Sequence, residues 1–320
     1  MKKAESQNTR RVVVVGAGAV GSTYCYALAQ SGLADEIIVI DKNEDLANGQ
    51  VMDLVHGEPF YPNVQIRKGT PVDYTHAQLV VITAGFSMKP GESRIQLLHK
   101  NVNLIHGIAK EIADRRCKGV ILIVTNPVDV LTYVALQSSG WETGRVIGSG
   151  TVLDSARFRY LLSRHCGVDI HNVHAYILGE HGDSEFAAWS MTNIAGINID
   201  DYCPVCKNCS NWKEERKGIE QEVRDSAYHI INYKGSTQYG VGMALIKITE
   251  AILRKQNSIL PVSTLLTGEF GISDVCLSVP SIVSGKGVLK IVQTPFPEKE
   301  LLALQRSADV LTQAVSTLEE

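Results

Sequence analysis

Two short strings carry side chains that could do chemistry together. Leu153-Asp154-Ser155-Ala156-Arg157 offers a carboxylate and a guanidinium, and Gly179-Glu180-His181-Gly182-Asp183 offers an imidazole. This set suits a 2-oxo acid. A guanidinium fork makes two parallel charge-assisted bonds to the permanent carboxylate of such a substrate. Its carbonyl oxygen gains negative charge as hydride arrives, so it needs a proton donor that titrates near neutrality, which is a histidine. The histidine in turn needs a carboxylate to fix its tautomer and stabilise its charged form. Asp154 and Arg157 are three apart in a helical segment and share a face. Taken singly, each has an ordinary explanation: His181 as a loop or capping residue, Asp154 and Arg157 as an intrahelical ion pair.

A second cation near the carbonyl would stabilise the developing charge, best once water is excluded. Gly85-Phe86-Ser87-Met88-Lys89-Pro90-Gly91-Glu92-Ser93-Arg94 contains a proline, two glycines and three charged side chains. It reads as a long loop able to close as a lid, with Arg94 at the start of the next helix, or else as a solvated connection. Arg94 is the candidate for polarising the carbonyl.

The elements that would hold these groups alternate between strand and helix. Arg11-Val12-Val13-Val14-Val15 is a β-branched run of the kind that forms a buried parallel strand. Gly16-Ala17-Gly18-Ala19-Val20-Gly21 follows it, then a helix to about Gln30, then the strand Ile37-Ile38-Val39-Ile40, which ends in Asp41. This is a G-x-G-x-x-G turn with an acid about 20 residues beyond its last glycine. Gly16 permits the tight turn, Gly18 the close approach of a pyrophosphate, and Gly21 close packing of helix on strand. The diphosphate would sit on the helix N-terminus. Asp41 would accept from an adenosine ribose and repel a 2′-phosphate, favouring NAD over NADP.

Further strands read at Leu79-Val80-Val81-Ile82-Thr83, Val120-Ile121-Leu122-Ile123-Val124 and Arg145-Val146-Ile147-Gly148, with a helix from about Ile95 to Arg116. The alternation predicts an α/β fold, a Rossmann-type doubly wound parallel sheet that binds ligands at the carboxyl ends of its strands. Asn126 of Asn126-Pro127 follows one such end and reads as facing the crevice, as a helix N-cap, or as both.

After about Ser149 the pattern changes to a mixed α+β half. A helix from about Val152 to His165 precedes a strand from Asn172 to Leu178. Asp274 to Val279 and Gly287 to Val292 read as strands flanking a Ser284-Gly285-Lys286 turn, and a helix from about Glu298 follows. The expected division is a frayed tail over 1–10, a nucleotide-binding domain over 11–149 and a substrate-binding, catalytic domain over 150–320.

Composition narrows the partners. With 320 residues, 44% hydrophobic, 20% charged and a net charge of -3, the chain is an ordinary globular protein with no bias toward nucleic acid or an anionic membrane. No apolar run approaches the roughly 18 residues of a membrane span, and the polar N-terminus has no secretory h-region. Seven cysteines, four of them scattered, argue against a disulfide framework and for the cytoplasm. Cys203, Cys206 and Cys209 form C-x-x-C-x-x-C in what reads as a polar loop. That motif could bind zinc or an iron–sulfur cluster or form a disulfide, but no fourth ligand follows nearby, and a tolerated, redox-sensitive surface loop is the plainer reading. No metal is expected.

The strings Val-Gly-Ala-Gly-Ala-Val-Gly, Val-Thr-Asn-Pro-Val-Asp-Val-Leu-Thr, Gly-Ser-Gly-Thr-Val-Leu-Asp-Ser-Ala-Arg-Phe-Arg and Gly-Glu-His-Gly-Asp resemble the NAD-dependent L-lactate/malate dehydrogenase family, most closely its bacterial L-lactate members, from Val12 to the C-terminal helix. The resemblance implies His181 as acid/base, Asp154 as its partner, Arg157 as carboxylate clamp and Arg94 as the lid arginine. It implies that Asn126 and Thr237 contact substrate, that Gly16, Gly18, Val20, Gly21, Asp41, Gly85, Val124, Asn126 and Ser149 line the NAD site, and that the protein is a homo-oligomer, usually a tetramer. Arg159 and His174 match positions that bind fructose 1,6-bisphosphate at a subunit interface in bacterial relatives, and are otherwise plain surface residues.

Two positions depart from the pattern. Met88 stands where lactate enzymes carry glutamine and malate enzymes carry arginine. Methionine cannot pair a second carboxylate, which argues against malate, and it makes the pocket apolar and adaptable. Pyruvate is the leading substrate, and longer apolar 2-oxo acids form the alternative. Gln238 stands where relatives often have tyrosine. A non-catalytic NAD-binding or redox-sensing module is the reading from another class, and the presence of all four of His181, Asp154, Arg157 and Arg94 weighs against it.

Overall fold

The computed structural model describes residues 9–87, 91, 93–206 and 211–318, and one nine-stranded sheet joins its two halves. Its parallel part is β1 (Arg11–Val15), β2 (Glu36–Ile40), β3 (Gln65–Lys68), β4 (Leu79–Ile82), β5 (Val120–Ile123) and β6 (Val146–Gly148). These strands lie in the spatial order β3-β2-β1-β4-β5-β6, so the chain reverses direction across the sheet between β1 and β4. A crevice at the carboxyl ends of β1 and β4 follows from that reversal. The connecting helices are α1 (Ala19–Ser31), α2 (Glu44–His56), α3 (Arg94–Asp114) and α4 (Val128–Ser139).

The β-branched run of β1 is buried on both faces. Val12 and Val14 join a core with Tyr24 and Leu28 of α1, while Val13 and Val15 join one with Ile105 of α3 and Leu131 of α4. Two-sided burial is why such strands read as unbroken apolar runs.

The second half is α5 (Val152–Cys166), β7 (Val173–His174), β8 (Ile177–Leu178), β9 (Phe186–Ala187), β10 (Asn193–Ile194), β11 (Ile197–Asn198), α6 (Ile199–Cys206), α7 (Trp212–Lys234), α8 (Tyr239–Leu253), β12 (Ser258–Thr267), β13 (Ser273–Ser284), β14 (Gly287–Ile291) and α9 (Glu298–Ser316). Antiparallel β12, β13 and β14 extend the first-half sheet, with Ser263 of β12 paired to Gly148 of β6. Helix α8 crosses back to pack on α1, where the buried Tyr24 hydroxyl meets Thr249 Oγ1 at 2.6 Å. The two halves therefore share a sheet and a core.

Several expectations change. The strand expected over 172–178 is two short strands in different sheets, β7 against β10 and β8 against β9. The reason lies in α5 and its N-cap, whose side chains take carbonyls that a continuous strand would offer a neighbour: Arg159 donates to Val173 O, and Thr151 to Ile177 O. The cap of α4 is Pro127, so Asn126 is not its N-cap. Cys203 is not in a polar loop: it is buried in α6, whose first turn carries Asp200 and Asp201. Cys209 lies outside the described residues. Among those residues, no helix is long and apolar enough to cross a membrane.

Candidate active site

Helix α5 starts on β8, and that junction sets the site. Thr151 at its N-cap donates to Ile177 O at 2.6 Å, and Ser155 Oγ accepts from Ile177 N at 2.9 Å. Asp154 thereby sits in the first turn of α5, almost fully buried, directly under the loop that leaves β8. Helix N-terminal N–H groups favour a carboxylate there.

The loop carries His181 to Asp154. His181 Nδ1 donates to Asp154 Oδ2 at 2.6 Å, and Arg157 Nη1 donates to Asp154 Oδ1 at 2.7 Å. One buried carboxylate thus holds both candidate substrate-facing groups. The His181 side chain is 25% exposed and that of Arg157 14%, so both keep a free edge. With Nδ1 committed to Asp154, Nε2 is the nitrogen left to exchange a proton with a ligand.

Charge pairing dominates the titration. Burial pulls the His181 pKa down, but Asp154 outweighs it and the imidazole is raised to about 9. Burial pushes Asp154 up, and His181 and Arg157 more than reverse that, holding it below the usual carboxylate range. At neutral pH the pair is imidazolium and carboxylate, which is the form able to give a proton to an incipient alkoxide.

The loop is anchored from three directions. The backbone N–H of His181 donates to Asp129 Oδ2 of α4 at 2.8 Å, and Glu180 N donates to Ser307 Oγ of α9 at 2.6 Å. Gly179 has φ +97, and a Cβ there would lie 2.6 Å from Ser307 Oγ, so only glycine fits beneath α9. From α7, Tyr228 donates to Asp183 Oδ1 at 3.0 Å.

The nucleotide turn has the shape its glycines predict. Gly16 has φ +110, and a Cβ there would come within 2.6 Å of the Ala84 backbone nitrogen. A Cβ on Gly21 would strike Gly16 O at 1.9 Å, whereas Gly18 faces open space. Helix α1 begins after Gly18 with no side-chain cap, so its first N–H groups are available to a diphosphate. Asp41 follows β2, accepting from Ala17 N at 2.7 Å and Asn43 N at 2.8 Å, and a carboxylate has further lone pairs for ribose hydroxyls. Val20 lies in the first turn of α1, while Gly85, Val124 and Ser149 follow the ends of β4, β5 and β6 at the same edge of the sheet. These residues fit a bound NAD, and among them it would rest its diphosphate on α1 and its ribose on Asp41.

Arg94 begins α3 behind a Ser93 cap, reciprocated by Gln96, at the foot of the candidate lid. Met88 lies outside the described residues. Asn126 is exposed just past β5. Thr237 lies between α7 and α8, beside Gln238, which occupies the N-cap of α8 and accepts from Ser236 Oγ at 3.3 Å. Arg159 of α5 reaches the backbone of Val173, the residue before His174 in β7. The Arg159 guanidinium donates to the Val173 carbonyl, and His174 is exposed.

Four residues escaped the sequence reading. Asp129 sits in a string that was read only for its family resemblance. Glu185, just past the His181 loop, carries no sequence signal of its own and is buried beside Asp154 and His181. Ser307 lies far along the chain. Asn101 of α3, also buried, accepts from Phe86 N at 2.8 Å and donates to Asn126 O at 3.3 Å, tying the root of the lid to the end of β5.

A dinucleotide turn at the switch point of a parallel sheet, facing a proton-donating couple beside an arginine, defines an NAD-dependent oxidoreductase. Comparison with known proteins gives the family. The lactate/malate dehydrogenase NAD binding domain matches residues 10–148, and the lactate/malate dehydrogenase alpha/beta C-terminal domain matches residues 151–320. The chain belongs to the lactate/malate dehydrogenase family and uses NAD. It is 57% identical to an L-lactate dehydrogenase of Treponema denticola, over 98% of this chain and 99% of that one. Among solved structures it is similar to a lactate dehydrogenase from a Medee basin deep-sea metagenome library, with TM-score 0.95 and 43% identity, covering 98% of this chain and 100% of the other. It is also similar to the ligand-bound minor L-lactate dehydrogenase of Enterococcus mundtii, with TM-score 0.94 and 38% identity over 97% and 98% of the two chains.

Proposed function

We propose that this protein is an L-lactate dehydrogenase that reduces pyruvate to L-lactate reversibly. The observation that carries the reading is Asp154, whose two oxygens engage His181 and Arg157 at 2.6 and 2.7 Å. NADH held by the glycine turn over 16–21 and by Asp41 would supply the hydride for the carbonyl carbon. His181 gives its Nε2 proton to the carbonyl oxygen and takes it back in the reverse direction. Asp154 stabilises the imidazolium before transfer. Arg157 grips the substrate carboxylate through its guanidinium fork, Arg94 adds positive charge from the lid, and Asn126 and Thr237 complete the contacts.

By its type, methionine at position 88 would make the substrate site more apolar than glutamine or arginine there. An extra methylene in such a pocket is worth roughly 1–3 kcal/mol, so 2-oxobutyrate and 2-oxoisocaproate join pyruvate as substrates, and oxaloacetate does not. The bond from Arg159 to Val173 O, which brings that cation to the strand bearing His174, supports a bisphosphate site shared across a two-fold axis, with fructose 1,6-bisphosphate as activator and a homotetramer as the working assembly in the cytoplasm.

NADH oxidation by the purified protein with pyruvate, 2-oxobutyrate, 2-oxoisocaproate and oxaloacetate, each with and without the bisphosphate, tests this. Preference for pyruvate, raised by the effector, supports an allosteric lactate enzyme. Preference for the longer acids makes Met88 the determinant and the pyruvate assignment wrong.

A further inference from the structure

The mechanism has no use for Glu185, yet the fold buries it in the reaction centre. It is 6% exposed, and one of its carboxyl oxygens lies within 4.8 Å of both an Asp154 oxygen and a His181 ring nitrogen. Among the described residues no hydrogen bond or ion pair holds its carboxyl group, while Asp154 has already taken Arg157 Nη1 and His181 Nδ1.

Several elements bring charge to this centre. Helix α5 supplies Asp154 and Arg157, α4 supplies Asp129, the loop supplies His181, and α7 supplies Arg224, whose Nη1 donates to Glu185 O at 3.4 Å. With all of Asp129, Asp154 and Glu185 ionised, three carboxylates would face the His181 and Arg157 cations and Arg224 at the rim. A substrate anion would then enter a pocket with no positive charge to spare. Buried carboxylates this close do not all ionise together.

We propose that Glu185 sets the affinity of the site for 2-oxo and 2-hydroxy acid anions: as a neutral carboxylic acid it leaves Arg157 to the substrate, and as a carboxylate it competes with the substrate for that cation. Burial, and then Asp154, push Glu185 up to about 8, within the working range of such a site. This inference rests on the 2-hydroxy acid dehydrogenase reading above.

His181 gives a signature of opposite kind. Its deprotonation weakens pyruvate binding but favours lactate, whereas ionisation of Glu185 weakens both. The experiment is the pH dependence of KM and kcat for pyruvate and for lactate, in wild type and in Glu185→Gln, which mimics the neutral acid. Between pH 7 and 9, KM of the wild type is expected to rise about tenfold relative to the variant for both acids, while the kcat profiles keep the shape set by His181.

A thermal measurement without substrate stands apart from activity. A buried acid whose folded pKa is raised stabilises the fold less as pH climbs from its ordinary value of 4.5 to about 8. The melting point of Glu185→Gln relative to wild type therefore rises across that window and levels off above it. Detectable turnover with superimposable KM profiles, or a melting difference flat in pH, overturns the proposal. Absence of turnover on any 2-oxo acid overturns the function instead.

Discussion

The backbone N–H of His181 donates to the carboxylate of Asp129 at 2.8 Å, across 52 residues of sequence. The imidazole is thus fixed twice, through its ring by Asp154 and through its backbone by a second buried acid. The two acids differ in charge. His181 and Arg157 hold Asp154 low, whereas burial pushes Asp129 up to about 6.

Asp129→Ala leaves the His181 amide without an acceptor. An unsatisfied buried group costs about 1–3 kcal/mol, so the melting temperature falls and kcat falls with it as the loop loosens. Asp129→Asn keeps an acceptor oxygen. Because Asp129 is raised in the fold, the wild type loses stability as pH rises from 3.8 toward 6, and the asparagine variant does not. Melting curves at pH 5 and 7 check both outcomes.

Asp154→Asn removes the main influence that raises His181, while burial still pulls the imidazole down. The pH at which pyruvate reduction falls off is expected to move from about 9 to the ordinary imidazole value of 6.5 or lower. At pH 7, kcat/KM for pyruvate drops by about two to four orders of magnitude, the range for a mispositioned acid–base. The measurement is kcat/KM against pH. An unshifted fall-off would show that Asp154 does not govern the imidazole.

Arg157→Lys keeps the charge and loses the planar fork. Hydrogen bonds to a charged partner contribute about 1.5–3 kcal/mol, so KM for pyruvate rises roughly 10- to 100-fold. The lysine variant also gives Asp154 a weaker partner, so a modest fall in melting temperature accompanies the kinetic change. An unaltered KM would mean that another cation grips the carboxylate.

Arg159→Gln with His174→Ala tests the effector site. The double variant is expected to keep basal turnover and to lose activation by fructose 1,6-bisphosphate. Because Arg159 also bonds Val173 O and Ile170 O, a His174→Ala single variant separates loss of the effector from disturbance of α5. Activation intact in both variants removes the site.

What was legible in the chain was local. The β1-turn-α1 unit, Asp154 with Arg157 on one helix face, and His181 between glycines are each a short continuous stretch of chain, where periodicity and turn chemistry operate. Strand β12 was not legible because Pro261 argues against an interior strand. The structure resolves the conflict by setting Pro261 opposite Pro280. Their carbonyls point apart, to Thr151 N and Val292 N, so neither missing N–H faces the other strand. Asp129, Glu185, Ser307 and Asn101 stayed hidden because their roles arise only from contacts between distant segments, and a lone acid or hydroxyl has no local signature. The lid region around Met88 keeps its reading from sequence alone.

The anchor between Glu180 and Ser307 has a consequence in time. These residues are 127 apart in the chain. A ribosome adding about 5–20 residues each second needs roughly 6 to 25 s to go from one to the other. Through that interval the nucleotide turn and the Asp154 helix already exist, while the segment bearing the imidazole lacks the hydroxyl that pins it. Helix α9, made well after the loop it pins, is what completes the reaction centre, so a chain stalled or clipped before α9 would carry most of a nucleotide site and no settled proton donor.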